Sequence, residues 1–302
     1  MRSTSGSADR PRPCGVVAAA LLCLAATAAT RLSAQTSVAA LALRFGAMTA
    51  VTGLEQAMTD SLVALLPGAA RDRGGNVTLT LGRGAPRRLL ACPLDEVGYV
   101  VGAVTPEGYL LLRRVGSRVV YPLFDQQLEG HRVTVFGTRG PVAGVVAVKS
   151  VHLTRGRVNP GAPDPVFALD NAYVDVGATA AGGARALGID VLAPVALTKQ
   201  PLLYGDRLLA VRGAGRRAAC AALAAAALTQ PRVRGTVVVA FTVQSLYAQD
   251  AAVASVQTLL GPFEETKTVS LRARYPDTAV ETVALREAEG LERELVAWLE
   301  GR

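Results

Sequence analysis

The chain has 302 residues, half of them hydrophobic and 19% charged, a globular composition for one large domain or two modest ones. Of its formal charge of +8, residues 1–34 hold +3 (Arg2, Arg10, Arg12 and Arg31 against Asp9), which leaves +5 for the rest. The arginines are scattered and aromatics make up only 5%, so the basic stripe with stacking aromatics that nucleic-acid binding needs is missing.

Residues 1–13 are polar and arginine-bearing, residues 14–30 form an uncharged apolar run, and Ala34-Gln35 offers a small residue at a cleavage point. This three-part layout predicts a secretory signal peptide over residues 1–34, with an uncleaved anchor as the alternative. The expected location is therefore periplasmic or extracellular. Lysine occurs only at 149, 199 and 267, and arginine supplies the other basic side chains, a usage typical of GC-rich bacterial genomes. No later apolar stretch is long enough to span a membrane; residues 218–228 read as a buried helix. Beyond the leader, Cys92 and Cys220 read as two buried small hydrophobes, with a disulfide as the alternative.

Apolar spacing predicts two helices over residues 37–66, the second starting near Leu54 with Thr52 as its cap. A turn at 72–76 leads to strands at 77–81 and 88–92. Residues 97–104 and 109–113 form a hairpin. Short strands continue to about residue 211, with turns at 137–140 and 159–164 and one helical patch at 180–187. A helix (217–228), a buried strand (236–243), a helix (251–260), a strand (268–273) and a final helix follow. In that helix Leu291, Leu295, Trp298 and Leu299 fall at i, i+4, i+7 and i+8, one apolar stripe. The pattern is an α/β domain, a mixed sheet flanked by helices (35–112 and 206–302), interrupted by a β-rich insert at 113–205.

Several collinear stretches carry a specific likeness. Asp72-Arg73-Gly74-Gly75-Asn76 with Leu94-Asp95-Glu96-Val97-Gly98-Tyr99 is one. Others are His152-Leu153, Tyr173-Val174-Asp175-Val176-Gly177-Ala178, Phe241-Thr242-Val243-Gln244, and Arg274-Tyr275 with Glu281. Together they resemble the "DxxGN … HMDEIGF", "PPHL", "iDiGa", "FTVQ" and "RYxHspxE" motifs of the tetrahedral and glutamyl (deblocking) aminopeptidases, which are dinuclear zinc peptidases. The resemblance implies a zinc-aminopeptidase-like sheet domain with a small inserted β-barrel that assists assembly.

The same resemblance shows where ligands should stand. The first histidine falls on Pro93, while its orienting carboxylate survives as Asp95. The metal-bridging aspartate falls on Gly215, beside Arg216. The general base and the neighbouring glutamate ligand fall on Ser245 and Leu246, and the last histidine falls on Asp277. The segment that would carry the remaining aspartate, around 245–273, is far shorter than in the family.

A family-free reading agrees. Beyond the leader the chain has two histidines, His131 and His152, and no HxxxH or CxxC pattern. A two-metal site needs several fixed donors and a carboxylate base. Asp95 and Asp277 offer at most a weak hard-cation site. Gln244, Ser245 and Tyr247 lack a histidine or lysine nearby in sequence to activate a hydroxyl.

The expected protein is a pseudoenzyme of aminopeptidase fold, with no catalytic residues, no cofactor and a structural, assembly or binding role. Zinc or cobalt would return only if the alternative, a metal-dependent aminopeptidase with a residual or rebuilt site, held. Expected partners are further copies or a protein complex, through the insert and through apolar faces around 251–260 and 268–273.

Overall fold

The computed structural model describes residues 37–116, 124–148, 167–247 and 251–302. The expected leader, His152-Leu153 and the expected turn at 159–164 lie outside the described residues. Among the described residues, no helix is long and apolar enough to cross a membrane.

The core sheet has the order β1-β2-β12-β3-β13. Its strands are β1 (Ala70–Arg71), β2 (Val77–Gly82), β3 (Arg87–Pro93), β12 (Thr236–Thr242) and β13 (Glu265–Thr268). β12 is buried at all seven positions, as a near-continuous apolar run in mid-sheet should be. It runs parallel to β3, from Thr236 opposite Arg87 to Thr242 opposite Pro93, and antiparallel to β2.

Alternation divides the side chains between two faces. Leu90, Cys92, Val237, Val239 and Phe241 join the large core with α1 (Val38–Ala47), α2 (Gln56–Leu65), α4 (Ala214–Leu228) and α6 (Leu285–Glu300). Leu89, Ala91, Val238 and Ala240 form a smaller cluster with Val256 of α5 (Ala251–Leu260), against which Val253, Leu260 and Phe263 pack. α4 buries almost its whole circumference. Alanine permits this, because short side chains let the helix approach its neighbours closely at little entropic cost. On α6, Leu295 and Leu299 are fully buried and Leu291 and Trp298 partly so, as their spacing predicts. Each fully buried leucine contributes roughly 1.5–3 kcal/mol.

The insert is a closed barrel of order β4-β5-β8-β7-β6-β9. It comprises β4 (Gly98–Val104), β5 (Leu110–Val115), β6 (Arg132–Gly137), β7 (Gly140–Val148), β8 (Ala172–Asp175) and β9 (Pro194–Leu197), with α3 (Ala181–Ala186) beside it. A second small sheet joins β10 (Leu202–Tyr204), β11 (Leu208–Ala210) and β14 (Thr282–Ala284).

Four sequence expectations are corrected. The barrel begins at Gly98, not at residue 113, because β4 pairs with β9 as well as with β5 and closes the ring. It ends at Leu197, since β10 pairs with β11 outside it. Thr52 does not cap α2; its hydroxyl goes to Asp95 and to the Glu96 carbonyl. The strand expected at 268–273 lies at Glu265–Thr268. Val269 N–H still donates to the Ala91 carbonyl (2.7 Å), but the next donor of a parallel ladder would be the amide of Pro93, which has no N–H.

The expected apolar faces also differ. β13 is exposed at every position and reads Glu-Thr-Lys-Thr, and of the large apolar side chains over 251–260 and 268–273 only Leu259 is well exposed. The larger exposed apolar groups are Leu202, Leu203 and Tyr204 on β10, and Val191 and Leu192 before β9.

Candidate functional site

Parallel strands leave their carboxyl ends together, where open α/β sheets place their ligands. Here the chain leaving β3 (Pro93 to Glu96) meets the chain leaving β12 (Val243 to Leu246) and the first turn of α4. Cys92 and Cys220 form a disulfide with Cα atoms 5.7 Å apart, so the alternative sequence reading is the one realised. This bond ties the last turn of β3 to α4, next to the arginines that α4 presents.

Asp95 is completely buried, and donors surround its carboxylate. Thr52 Oγ1 (3.0 Å) and Leu246 N–H (2.9 Å) donate to Oδ2, and the Ser245 hydroxyl donates to Oδ1. Arg216 Nη1 lies 3.6 Å from Oδ1 and donates to the Asp95 carbonyl and to Ser245 Oγ, each at 3.1 Å. The Ser245 hydroxyl thus lies between a carboxylate and a guanidinium. His131 lines a different cavity, beside Lys199.

Glu96 anchors a buried ion cluster. Lys199 Nζ lies 2.6 Å from Oε2, Arg217 Nη2 lies 3.3 Å from Oε1, and Ala50 N–H donates to Oε1 at 3.1 Å. Burial pushes the carboxyl upward, but the charges of Lys199, Arg217 and Arg212 outweigh it and hold it down at about 2. Burial draws the Lys199 ammonium down to about 7 against the pull of Glu96. Arg217 also donates to the Leu94 carbonyl, so the cluster clamps the strand end on both sides of Asp95.

Gly215 sits at the start of α4, where its N–H donates 2.7 Å to Glu281 Oε1. A β-carbon at 215 would lie 2.8 Å from the Leu271 carbonyl oxygen and 3.1 Å from Glu281 Oε1. Glu281 fills the space a side chain at 215 would need and caps the helix instead. Its Oε2 accepts the Asp277 N–H at 3.0 Å. Burial raises the Glu281 carboxyl. Asp277 is exposed and adopts a left-handed backbone with φ of 62°.

Of the six positions singled out from the sequence, Gly215, Leu246 and Asp277 line one cavity of about 420 Å³ together with Arg212, Arg216 and Glu281. Asp95 and Ser245 lie behind Arg216, and Pro93 closes β3. The residues present do not fit a two-metal centre. Pro93, Gly215 and Leu246 have no donor side chain, and the Asp95 oxygens already accept three hydrogen bonds. Among the described residues, no group of three or more His, Cys, Asp or Glu side chains could hold a metal. Sequence reasoning missed Thr52, Glu55, Lys199, Arg212 and Arg217. Glu55 is buried beside a second cavity of about 530 Å³ and accepts the amides of Gly53 (2.9 Å) and Gln244 (2.8 Å). The three arginines within residues 212–217 were the only signal available.

The family described as M42 glutamyl aminopeptidase matches residues 75–258. Among curated proteins, "Putative aminopeptidase SgcX" of Escherichia coli K12 is 32% identical over 181 residues, 58% of this chain and 46% of that protein. Lysyl aminopeptidase of Pyrococcus furiosus is 26% identical over 139 residues, 46% of this chain and 38% of that protein. The chain thus spans less than half the length of these curated relatives. Among solved structures, an aminopeptidase of Desulfurococcus kamchatkensis superposes with a TM-score of 0.72 at 16% identity, covering 88% of this chain and 95% of that one. The TET1 peptidase of Pyrococcus horikoshii, described as able to assemble into a tetrahedron or a large octahedral shell, gives 0.69 at 21% identity, covering 87% and 99%. At these identities the likeness shows the fold.

Proposed function

This chain belongs to the M42 glutamyl aminopeptidase family, and from that premise we propose that it is a non-catalytic member, exported from the cell, that acts by binding or assembly. One observation carries the reading. At the carboxyl ends of β3 and β12, Asp95 is committed to Thr52, Ser245 and Leu246, and Arg216 holds a fixed cation beside it. A cation so close opposes dications, and among the described residues no carboxylate base stands free next to Ser245. The Cys92–Cys220 disulfide supports export, because such bonds persist in oxidising compartments. Assembly draws support from the complete barrel and from the exposed Leu192, Leu202 and Leu203.

Metal analysis with an activity assay tests this. Purified protein should carry less than about 0.1 zinc per chain, since a zinc site needs three or four donors. It should not hydrolyse aminoacyl anilides with zinc or cobalt added. Stoichiometric metal with turnover that Asp95→Ala abolishes would establish the rival reading, a rebuilt metal-dependent aminopeptidase.

A further inference from the structure

The 420 Å³ cavity at the start of α4 is lined by three guanidiniums, and their donors are not all used. Arg212 is 7% exposed; its Nη2 donates to the Val97 carbonyl at 2.9 Å and its Cζ lies 4.8 Å from the Phe124 ring centre. Its Nη1 is buried and meets no acceptor among the described residues. Arg216 spends Nη1 on Asp95 and Ser245. The Arg272 side chain is exposed and has no hydrogen bond or ion pair among the described residues. A buried donor without an acceptor is costly, and a ligand oxygen recovers that cost.

We infer that this cavity binds a small molecule with one carboxylate on an apolar body. Guanidinium forks match a carboxylate with two parallel hydrogen bonds. Leu246, Leu271, Phe124 and Pro276 supply apolar wall for the rest of the ligand. The volume suits a ligand about the size of an acylated amino acid. Glu96, Asp277 and Glu281 lie in the same wall; Glu96 is paired with Lys199 and Arg217, and Glu281 is already committed to two backbone amides. They add repulsion that a monoanion tolerates better than a phosphate dianion does. The inference rests on the metal-free reading above.

Calorimetric titration of the purified chain with N-acetyl-leucine, its amide N-acetyl-leucinamide and inorganic phosphate separates the possibilities, with zinc measured on the same sample. N-acetyl-leucine should bind about tenfold or more tighter than the amide, the margin expected of a charge-assisted pair, and tighter than phosphate. Arg272→Ala should weaken it several-fold without moving the thermal midpoint, because that side chain holds nothing else among the described residues. Arg216→Gln should weaken it further. Equal affinity for acid and amide, stronger binding of phosphate, no binding, or affinity unchanged in both variants would overturn the inference. If zinc is below one-tenth stoichiometric in that failed case, the metal-free reading stands alone. Stoichiometric zinc would instead remove that reading and the inference with it.

Discussion

Arg216 Nη1 stands 3.6 Å from Asp95 Oδ1 and donates to the Asp95 carbonyl at 3.1 Å, so a helix-borne cation closes the carboxyl end of β3. The arrangement is internally balanced. Thr52, Ser245 and Leu246 satisfy the carboxylate, Arg216 offsets its charge, and the disulfide one residue before Pro93 fixes strand to helix. The consequences can be measured.

The Glu96 cluster predicts acid sensitivity. A carboxyl lowered from 4.5 to about 2 contributes stability that is fully present above its unfolded value. That stability is lost as pH falls through about 4.5 to about 2, and a shift of this size is worth roughly 3 kcal/mol. Urea unfolding across that window should show this loss in the native chain and a flatter profile in Glu96→Gln. At pH 7 the variant should be less stable by about 3–5 kcal/mol, because Arg217 keeps a buried charge without its partner and Lys199, already drawn down to about 7, loses the carboxylate that holds its proton. Identical acid profiles would count against the cluster.

The disulfide and the leader are tested together. Cys92 and Cys220 close a loop of 128 residues, so reduction should cost about 2–5 kcal/mol in unfolding free energy. Native exported protein should begin at or within a few residues of Gln35 and, when denatured without reductant, show almost no free thiol. A sample with intact Met1 would support a retained anchor, and two free thiols per trimmed chain would contradict the bond.

Placing an aspartate at residue 215 should not create a metal site. The β-carbon of Gly215→Asp meets the Leu271 carbonyl and Glu281, so the variant should lose about 1–3 kcal/mol, as an overpacked position does. Zinc content should stay unchanged. Zinc uptake with unimpaired stability would show that the cavity wall yields readily.

Light scattering should show an oligomer or a stable complex at micromolar concentration. Leu192 is 68% exposed next to the barrel, and Leu192→Asp should shift the particle toward monomer if the barrel carries the contact. Tyr204→Asp on β10 provides the comparison. A clean monomer for the native chain would remove the assembly half of the proposal.

The sequence by itself determined the order of elements, the amphipathic register of α6 and which side chains stand where the resemblance expects ligands. Pro93, Gly215 and Leu246 lack donors whatever surrounds them, and a stripe at 291, 295, 298 and 299 shares a helix face by geometry alone. Only the tertiary structure decided that Cys92 meets Cys220, that Glu96 meets Lys199 across 103 residues, and that β4 closes the barrel instead of extending the main sheet. It also decided that β13 stops where Pro93 has no amide to offer. The physical reason is range. Periodicity and side-chain identity are local quantities, whereas a buried ion cluster or a closed barrel depends on which distant segments the packed core brings together.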